Sequence, residues 1–407
     1  MKNKSIQLRL FYLFSFLFIF SSINREFLFF GLDLRYIVLI LGVFILLFTK
    51  NVKDAQKNDN KKINRLSISL ILLFGWCLLS NISWLWNNID IQLDQMIRLN
   101  ILIANNLLAI LVYRRFKDFV DDQVVRKILV FSCCVLVLSF ILTGMGLSLS
   151  QISGSDARSM SVSNAIIEHK NLFGGDYRIA GYAEDANYAS LFLIAGVLSL
   201  WQLKMRKMYR VTLSIIFGIA FAFACSKTVL LALPVGIIYY LFVKIIKANK
   251  KVEQFLNTIF TLGITMLSVL MPKIHVFAGM NTLSTRFKLW SMAGEAFGKS
   301  PVLGNGISSA RSVISMNYSY TGGWYVQTHS TIWQLLAETG LVGLVLFCIV
   351  FFERLMLDDD SILDKVLVII LLVFALNFEV IYLQIVVYIL YILPIAYSNR
   401  KIQHGKK

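Results

Sequence analysis

Little in this chain suits the chemistry of soluble enzymes. Only five cysteines and four histidines occur in 407 residues. Cys77, Cys133, Cys134, Cys225 and Cys348 all lie inside apolar runs, so neither a disulfide nor a cysteine-ligated metal is expected. The histidines stand apart at 169, 275, 329 and 404, with none of the close spacings that place two metal ligands on one helix face. No metal and no cofactor is expected. Charge is scarce too, at 15% of residues. What fills the chain instead is hydrocarbon: 57% of residues are hydrophobic, and mean hydropathy is +0.69. Such a composition excludes a soluble domain and places the chain in a bilayer.

Apolar runs recur at 8–23, 30–49, 66–86, 95–113, 128–149, 186–203, 211–226, 228–246, 252–271, 330–352, 366–377 and 380–397. Most approach the ~20 residues that span hydrocarbon. The pattern predicts an all-α polytopic membrane protein of eleven to twelve transmembrane helices, a single domain over 1–407. Stretch 366–397 is either two helices or one long helix interrupted at Asn377, Phe378 and Glu379. The first run lacks a small-residue cleavage site and is followed by Asn24, Arg25 and Glu26, so it is expected to act as a signal anchor.

Lysine and arginine outnumber acidic residues 40 to 23, giving a net charge of +17. In a soluble protein that excess would suggest nucleic acid. Here position matters more than sum, because about 26 of the 40 fall in alternate connections and at the two ends. With twelve helices those segments share one side, the cytoplasmic one. No nucleic-acid partner is expected. The remaining long connections, 150–185 and 272–329, then face outward. The Asp358-Asp359-Asp360 run falls on the cytoplasmic side and is expected to be a solvated loop.

The second outer loop is the longest polar segment between apolar runs. It carries Arg286 and closes on His329, where the next helix begins. Helices that enter the membrane from outside present their N-terminal amides to that surface, and those starting near Asn187, Thr228 and Ser330 all do so. Their positive ends favour an anion. Arg178, Lys227 and Arg286 add fixed cations on the same side, a combination suited to pyrophosphate, although cations there also snorkel to lipid headgroups. Asp185 is placed to cap the sixth helix. His329 at a helix N-terminus is expected to be neutral and able to accept a proton. Glu338 lies nine residues on and too deep to orient it, and is expected to serve packing, as are Gly340 and Gly343. Phe287, Trp290, Ala293 and Phe297 predict a short amphipathic helix over 284–297. The turn Pro301–Gly306 follows, its glycines allowing close backbone approach. Trp324 and Tyr325 offer faces for sugar stacking or for an interfacial belt.

Taken in order, Arg178-x-x-Gly181 with Asn187, Ser226-Lys227-Thr228, Arg286-x-x-x-Trp290, Pro301-x-Leu303-Gly304-x-Gly306 and His329-Ser330 ahead of Glu338-x-Gly340-x-x-Gly343 carry a resemblance. The set resembles the family of O-antigen ligases and repeat-unit polymerases, the WaaL-type and Wzy-type enzymes, over about residues 170–350. It departs from the family pattern at Ala186-Asn187, Ser226-Lys227 and His329-Ser330, where Pro-Asn, Ser-Arg and His-Asn are usual. Lys227 keeps the charge of arginine but not its bidentate fork.

The resemblance implies a GT-C-like glycosyltransferase of the bacterial inner membrane with its active site on the periplasmic side. The partners it implies are the bilayer, an undecaprenyl-pyrophosphate-linked oligosaccharide as donor and acceptor, and a chain-length regulator. Arg178, Arg286 and His329 are the expected catalytic residues. Lys227, Asn187, Trp290 and Tyr325, with the two arginines, are the expected substrate contacts. A polymerase of O-antigen or capsule repeat units is favoured by the short chain and modest outer loops; the alternative is a ligase transferring polysaccharide to lipid A core. From another class stands a lipid-linked oligosaccharide flippase or transporter. Paired broken helices or repeated halves would mark it.

Overall fold

The computed structural model describes residues 2–24, 28–29, 32–49, 61–87, 93–144, 179–183, 185–224, 226–245, 250–270, 281–317, 328–357 and 360–404. Each apolar run contains a helix among its described residues. These are α1 (Lys2–Ile23), α2 (Leu34–Phe48), α3 (Lys61–Leu79, extended by a 3₁₀ turn Ser80–Leu85), α4 (Leu93–Arg115) and α5 (Asp122–Gly144). Then come α6 (Ala186–Leu200), α7 (Lys207–Ala224), α8 (Lys227–Ile245) and α9 (Lys250–Leu270). The loop helices α10 (Asn281–Lys299) and α11 (Ser309–Asn317) precede α12 (Thr331–Leu355) and α13 (Ile362–Asn377). The last stretch is α14 (Gln384–Val387), a π turn (Tyr388–Ile392) and α15 (Leu393–His404). The only described strands are β1 (Leu28–Phe29) and β2 (Leu32–Asp33), a two-residue antiparallel hairpin. The protein is therefore an all-α polytopic membrane protein. Among the described residues, eight helices are long and apolar enough to cross a membrane, and Leu34–Phe48, Ala186–Leu200 and Thr228–Lys244 are apolar but shorter.

Helix α13 is buried on every side from Asp364 to Leu376, as is the stretch from Gln384 to Ile392. Helices apolar all round belong at the centre of a bundle. By contrast α7 and α9 leave Ile215, Ile219, Phe255, Leu262 and Met266 exposed, the expected look of a lipid-facing surface. In lipid an exposed Leu is at no disadvantage, so close packing and polar links decide which face turns inward.

Those links sort into two ends. At the cation-rich end, Arg126 is fully buried between Asp122 at 2.7 Å and Asp364 at 2.6 Å, and Arg400 reaches Asp122 at 3.0 Å. Gln202 donates to Asp364 at 2.8 Å, and the Asn399 amide donates to the carbonyls of Lys117 and Val120. Asp360 corrects an expectation. It is not solvated but buried against Arg354, itself fully buried in α12 and in need of a counter-charge. Asp358 and Asp359 lie outside the described residues. At the opposite end Asn81 donates to Asn100, Asn87 to Asn305, Ser226 to Asn187 and Arg286 to Asn377.

Helix α12 is broken. Gly340 has φ 67° and ψ −166°, and the freed backbone groups are taken up by the turn after α10. Asn305 N–H donates to Ala337 O, Gly306 N–H to Glu338 O, and Leu341 N–H to Pro301 O, at 2.9, 2.9 and 2.8 Å. Unpaired backbone in hydrocarbon would cost several kcal/mol per group, so the break and the turn require each other. The Gly304 and Gly306 φ angles of 75° and 90° show the positive-φ turn expected from sequence. The expected close contact at Gly340 is made with this turn rather than with another helix.

Stretch 366–397 resolves into two helices. Helix α13 ends at Asn377, and 378–383 runs non-helically to Gln384. The amphipathic helix expected over 284–297 is the longer α10. Leu289, Trp290, Ala293 and Ala296 are buried, and Trp333 of α12 packs against the clusters they form. Protein rather than lipid takes up its apolar face, because α12 offers a matching stripe.

Candidate active site

The segment between α13 and α14 is laced to the entry of α12. Thr331 donates from its N–H and from Oγ1 to Phe378 O, at 3.0 and 2.6 Å, and accepts from Val380 N–H at 2.9 Å. Thr328 donates to Glu379 Oε1 from both its N–H and its Oγ1, and the Trp290 indole N–H donates to Thr328 O at 2.9 Å. Ser330, the N-cap of α12, accepts from Trp333 N–H. Held from both sides, His329 adopts φ 51°, a left-handed conformation uncommon outside glycine and enriched at functional positions. It precedes the cap rather than opening the helix.

Phe378 is where the polar groups gather. Its ring meets the His329 imidazole edge-on at 6.0 Å and 80°. The Arg286 guanidinium lies 5.4 Å from the same ring centre, with Nη1 donating to Asn377 Oδ1 at 2.8 Å. Tyr188 of α6 packs edge-on at 6.2 Å, and its hydroxyl donates to Glu379 O. Glu379 in turn pairs through Oε2 with Arg311 of α11 at 2.7 Å.

Electrostatics follow from this crowding. Burial, first, holds the His329 imidazole below its ordinary value; Arg286 and Arg311 reinforce that, while Glu379 and Asp185 oppose it. The shift runs in the direction expected from the helix dipole, with desolvation as its largest cause. Glu379 shows the reverse balance: burial works against its charge, but Arg311 and the Thr328 hydrogen bonds hold its carboxyl below the usual range. A neutral imidazole beside a fixed guanidinium can take a proton while the cation holds an anion.

Of the residues expected from sequence, Arg286 and His329 meet on Phe378. Asn187 is buried at the start of α6, where its amide donates to the N-cap Asp185 and its carbonyl oxygen accepts from Ser226 at 2.8 Å. It ties the α6 entry to the α8 entry. Trp290 is fully buried and supports the His329 turn from behind. Lys227 opens α8, its side chain outside the described residues; Arg178 and Tyr325 also lie outside them. Glu338 is fully buried, accepting from Ser308 N–H and the Tyr382 hydroxyl at 2.9 and 2.8 Å, a packing role as expected.

Sequence reading missed Arg311, Asn377, Phe378 and Glu379. A signal was present, since Asn377 to Glu379 interrupt an otherwise apolar stretch, and an ionisable residue at such depth marks function or a paired partner. Arg311 gave no such sign among the many cations of the chain.

Residues 183–348 match the family described as O-antigen ligase, the family the motifs resemble. The matched span contains Asn187, Lys227, Arg286, Trp290, Tyr325 and His329 and ends before Phe378 and Glu379. No curated protein and no solved structure matches the chain.

Proposed function

Because residues 183–348 match the O-antigen ligase family, we propose that this chain is a glycosyltransferase of the bacterial inner membrane that joins undecaprenyl-pyrophosphate-linked oligosaccharides. The observation that carries this reading is the meeting of Arg286 and His329 on Phe378, at the end of the bundle opposite the buried Arg126 cluster. The positive-inside rule makes that end periplasmic.

In the proposed reaction an acceptor sugar hydroxyl attacks the anomeric carbon of the donor. The anomeric carbon–oxygen bond breaks, and undecaprenyl pyrophosphate leaves with the bonding pair. Arg286, with Arg178 from the first outer loop, stabilises the charge that develops on the leaving group. The hydroxyl proton passes to His329 and from there to solvent. Lys227 adds charge nearby, and Tyr325 offers a stacking face to a sugar. Polymerisation of repeat units is the preferred form of the reaction, with ligation to lipid A core as its alternative.

Deleting the gene and resolving the cell's polysaccharide on gels tests the reading. A single repeat unit on lipid A core is the expected result and identifies a polymerase. Bare core with repeat-bearing carrier identifies a ligase, and repeats trapped on the cytoplasmic leaflet would overturn transfer in favour of a flippase.

The state of His329 predicts a pH profile. A base works when unprotonated, and the lowered value places its titration below the ordinary 6.5. Transfer by purified protein is expected to stay flat from pH 8 down to about 6.5 and to fall only in more acidic buffer. A loss centred above 6.5 would contradict the assignment.

A further inference from the structure

Beside the proposed site lies a small pocket of about 20 Å³, lined among others by Gln95 and Arg98 of α4, Tyr188, Arg311, Gln334 of α12 and Glu379. The Glu379 carboxylate divides the two. Its Oε1 serves Thr328 on the His329 side, and its Oε2 serves Arg311 on the pocket wall. Gln334 sits about one turn into α12 from His329, is 1% exposed, and has no hydrogen-bond partner for Nε2 or Oε1 among the described residues.

Buried side-chain amides are nearly always paired, and one left unpaired is costly. Three neighbouring polar atoms are already engaged: the Tyr382 hydroxyl donates to Glu338, the Tyr188 hydroxyl to Glu379 O, and Gln95 Oε1 accepts from Arg311 at 3.5 Å. Gln334 brings to the wall a buried amide whose donor and acceptor both lack a partner among the described residues, and Arg98 adds a guanidinium. An amide offering both suits a hydroxyl, which also gives and receives; a phosphate, which only accepts, would leave the amide oxygen facing another oxygen. The volume is enough for at least one hydroxyl-sized group.

We propose that this pocket is a sugar-hydroxyl subsite, in which Gln334 reads one hydroxyl or hydroxymethyl group of the acceptor glycan with Gln95 and Arg311 flanking it. The inference rests on the glycosyl-transfer reading and adds α4, which lies outside the matched span 183–348, to the residues that select the substrate.

The test uses the full-length protein in detergent. The probe is the free oligosaccharide repeat released by mild acid from the host's carrier-linked repeat unit, with binding read by calorimetry and Tm by thermal unfolding. Wild type is expected to bind it. Gln334→Met, close in volume but unable to hydrogen-bond, is expected to weaken binding about tenfold or more and to keep or raise the Tm of the sugar-free protein. Gln95→Met tests the opposite wall without altering α12 and is expected to weaken binding severalfold. Arg286→Ala is expected to bind the free oligosaccharide while losing transfer. Wild-type affinity in both methionine variants would overturn the subsite and leave the transfer reading standing. Failure of the wild type to bind, together with unchanged polysaccharide on gene deletion, would overturn both.

Discussion

A strain carrying His329→Ala is expected to hold the protein in its membrane at the wild-type level and to make no long glycan. The fold around position 329 is held by its neighbours: Thr328 by Glu379 and Trp290, Thr331 by Phe378 and Val380. The imidazole itself adds an edge contact with Phe378, and its buried Nδ1 has no partner among the described residues. Removing it therefore costs little stability. Removing a positioned base costs about 10²- to 10⁴-fold in rate. His329→Asn is the sharper control, because asparagine tolerates the left-handed backbone yet cannot take the proton. Arg286→Ala is expected to lose about 10²- to 10³-fold through the lost cation, with Arg286→Lys falling between because it keeps charge without the fork. Gels of polysaccharide beside membrane immunoblots check both, and near-normal chain length in His329→Ala and Arg286→Ala would end the proposed site.

Gly340→Val is expected to remove the protein itself. Its φ of 67° with ψ of −166° belongs to a region essentially reserved for glycine, at a cost of about 1–3 kcal/mol for any other residue. A Cβ there would also meet Val302 O at 2.3 Å and Gly304 N at 2.6 Å, backbone atoms that cannot rotate away. Relief means drawing the turn out of the break and stranding the hydrogen bonds of Asn305, Gly306 and Leu341. Together these put the loss at roughly 3–5 kcal/mol or more, enough to unfold a marginal protein. Gly298→Ala is the contrast: a Cβ at Gly298 meets nothing within 4 Å, so a neutral or slightly stabilising effect is expected. Membrane abundance and Tm in detergent distinguish the two, and equal values would refute the coupling of turn to broken helix.

The Gly340 break explains why sequence alone went only so far in this region. Gly304, Gly306 and Gly340 were each legible as places of close approach, but their mutual contact was not. Two lie in a loop and the third inside an apolar run, and nothing local says which backbone fills which gap. Stretch 366–397 behaves similarly. Its interruption was visible, yet whether Asn377 to Glu379 bent one helix or separated two depended on Thr331 and Thr328, about fifty residues away.

By itself the sequence determined the bilayer as solvent, the helical segments, the cation-rich end and two of the side chains that share the candidate site, Arg286 and His329. Hydropathy, charge position and short motifs are local properties, and local properties can be read along a chain. Only the tertiary structure decided that Phe378 joins those two side chains, that Arg311 and Glu379 form a buried pair beside them, that burial lowers the His329 pKa, and that Gln334 is left facing a pocket. Each of these depends on contacts between segments far apart in the chain, where the cost of stranding a buried polar group selects one arrangement that no single segment encodes.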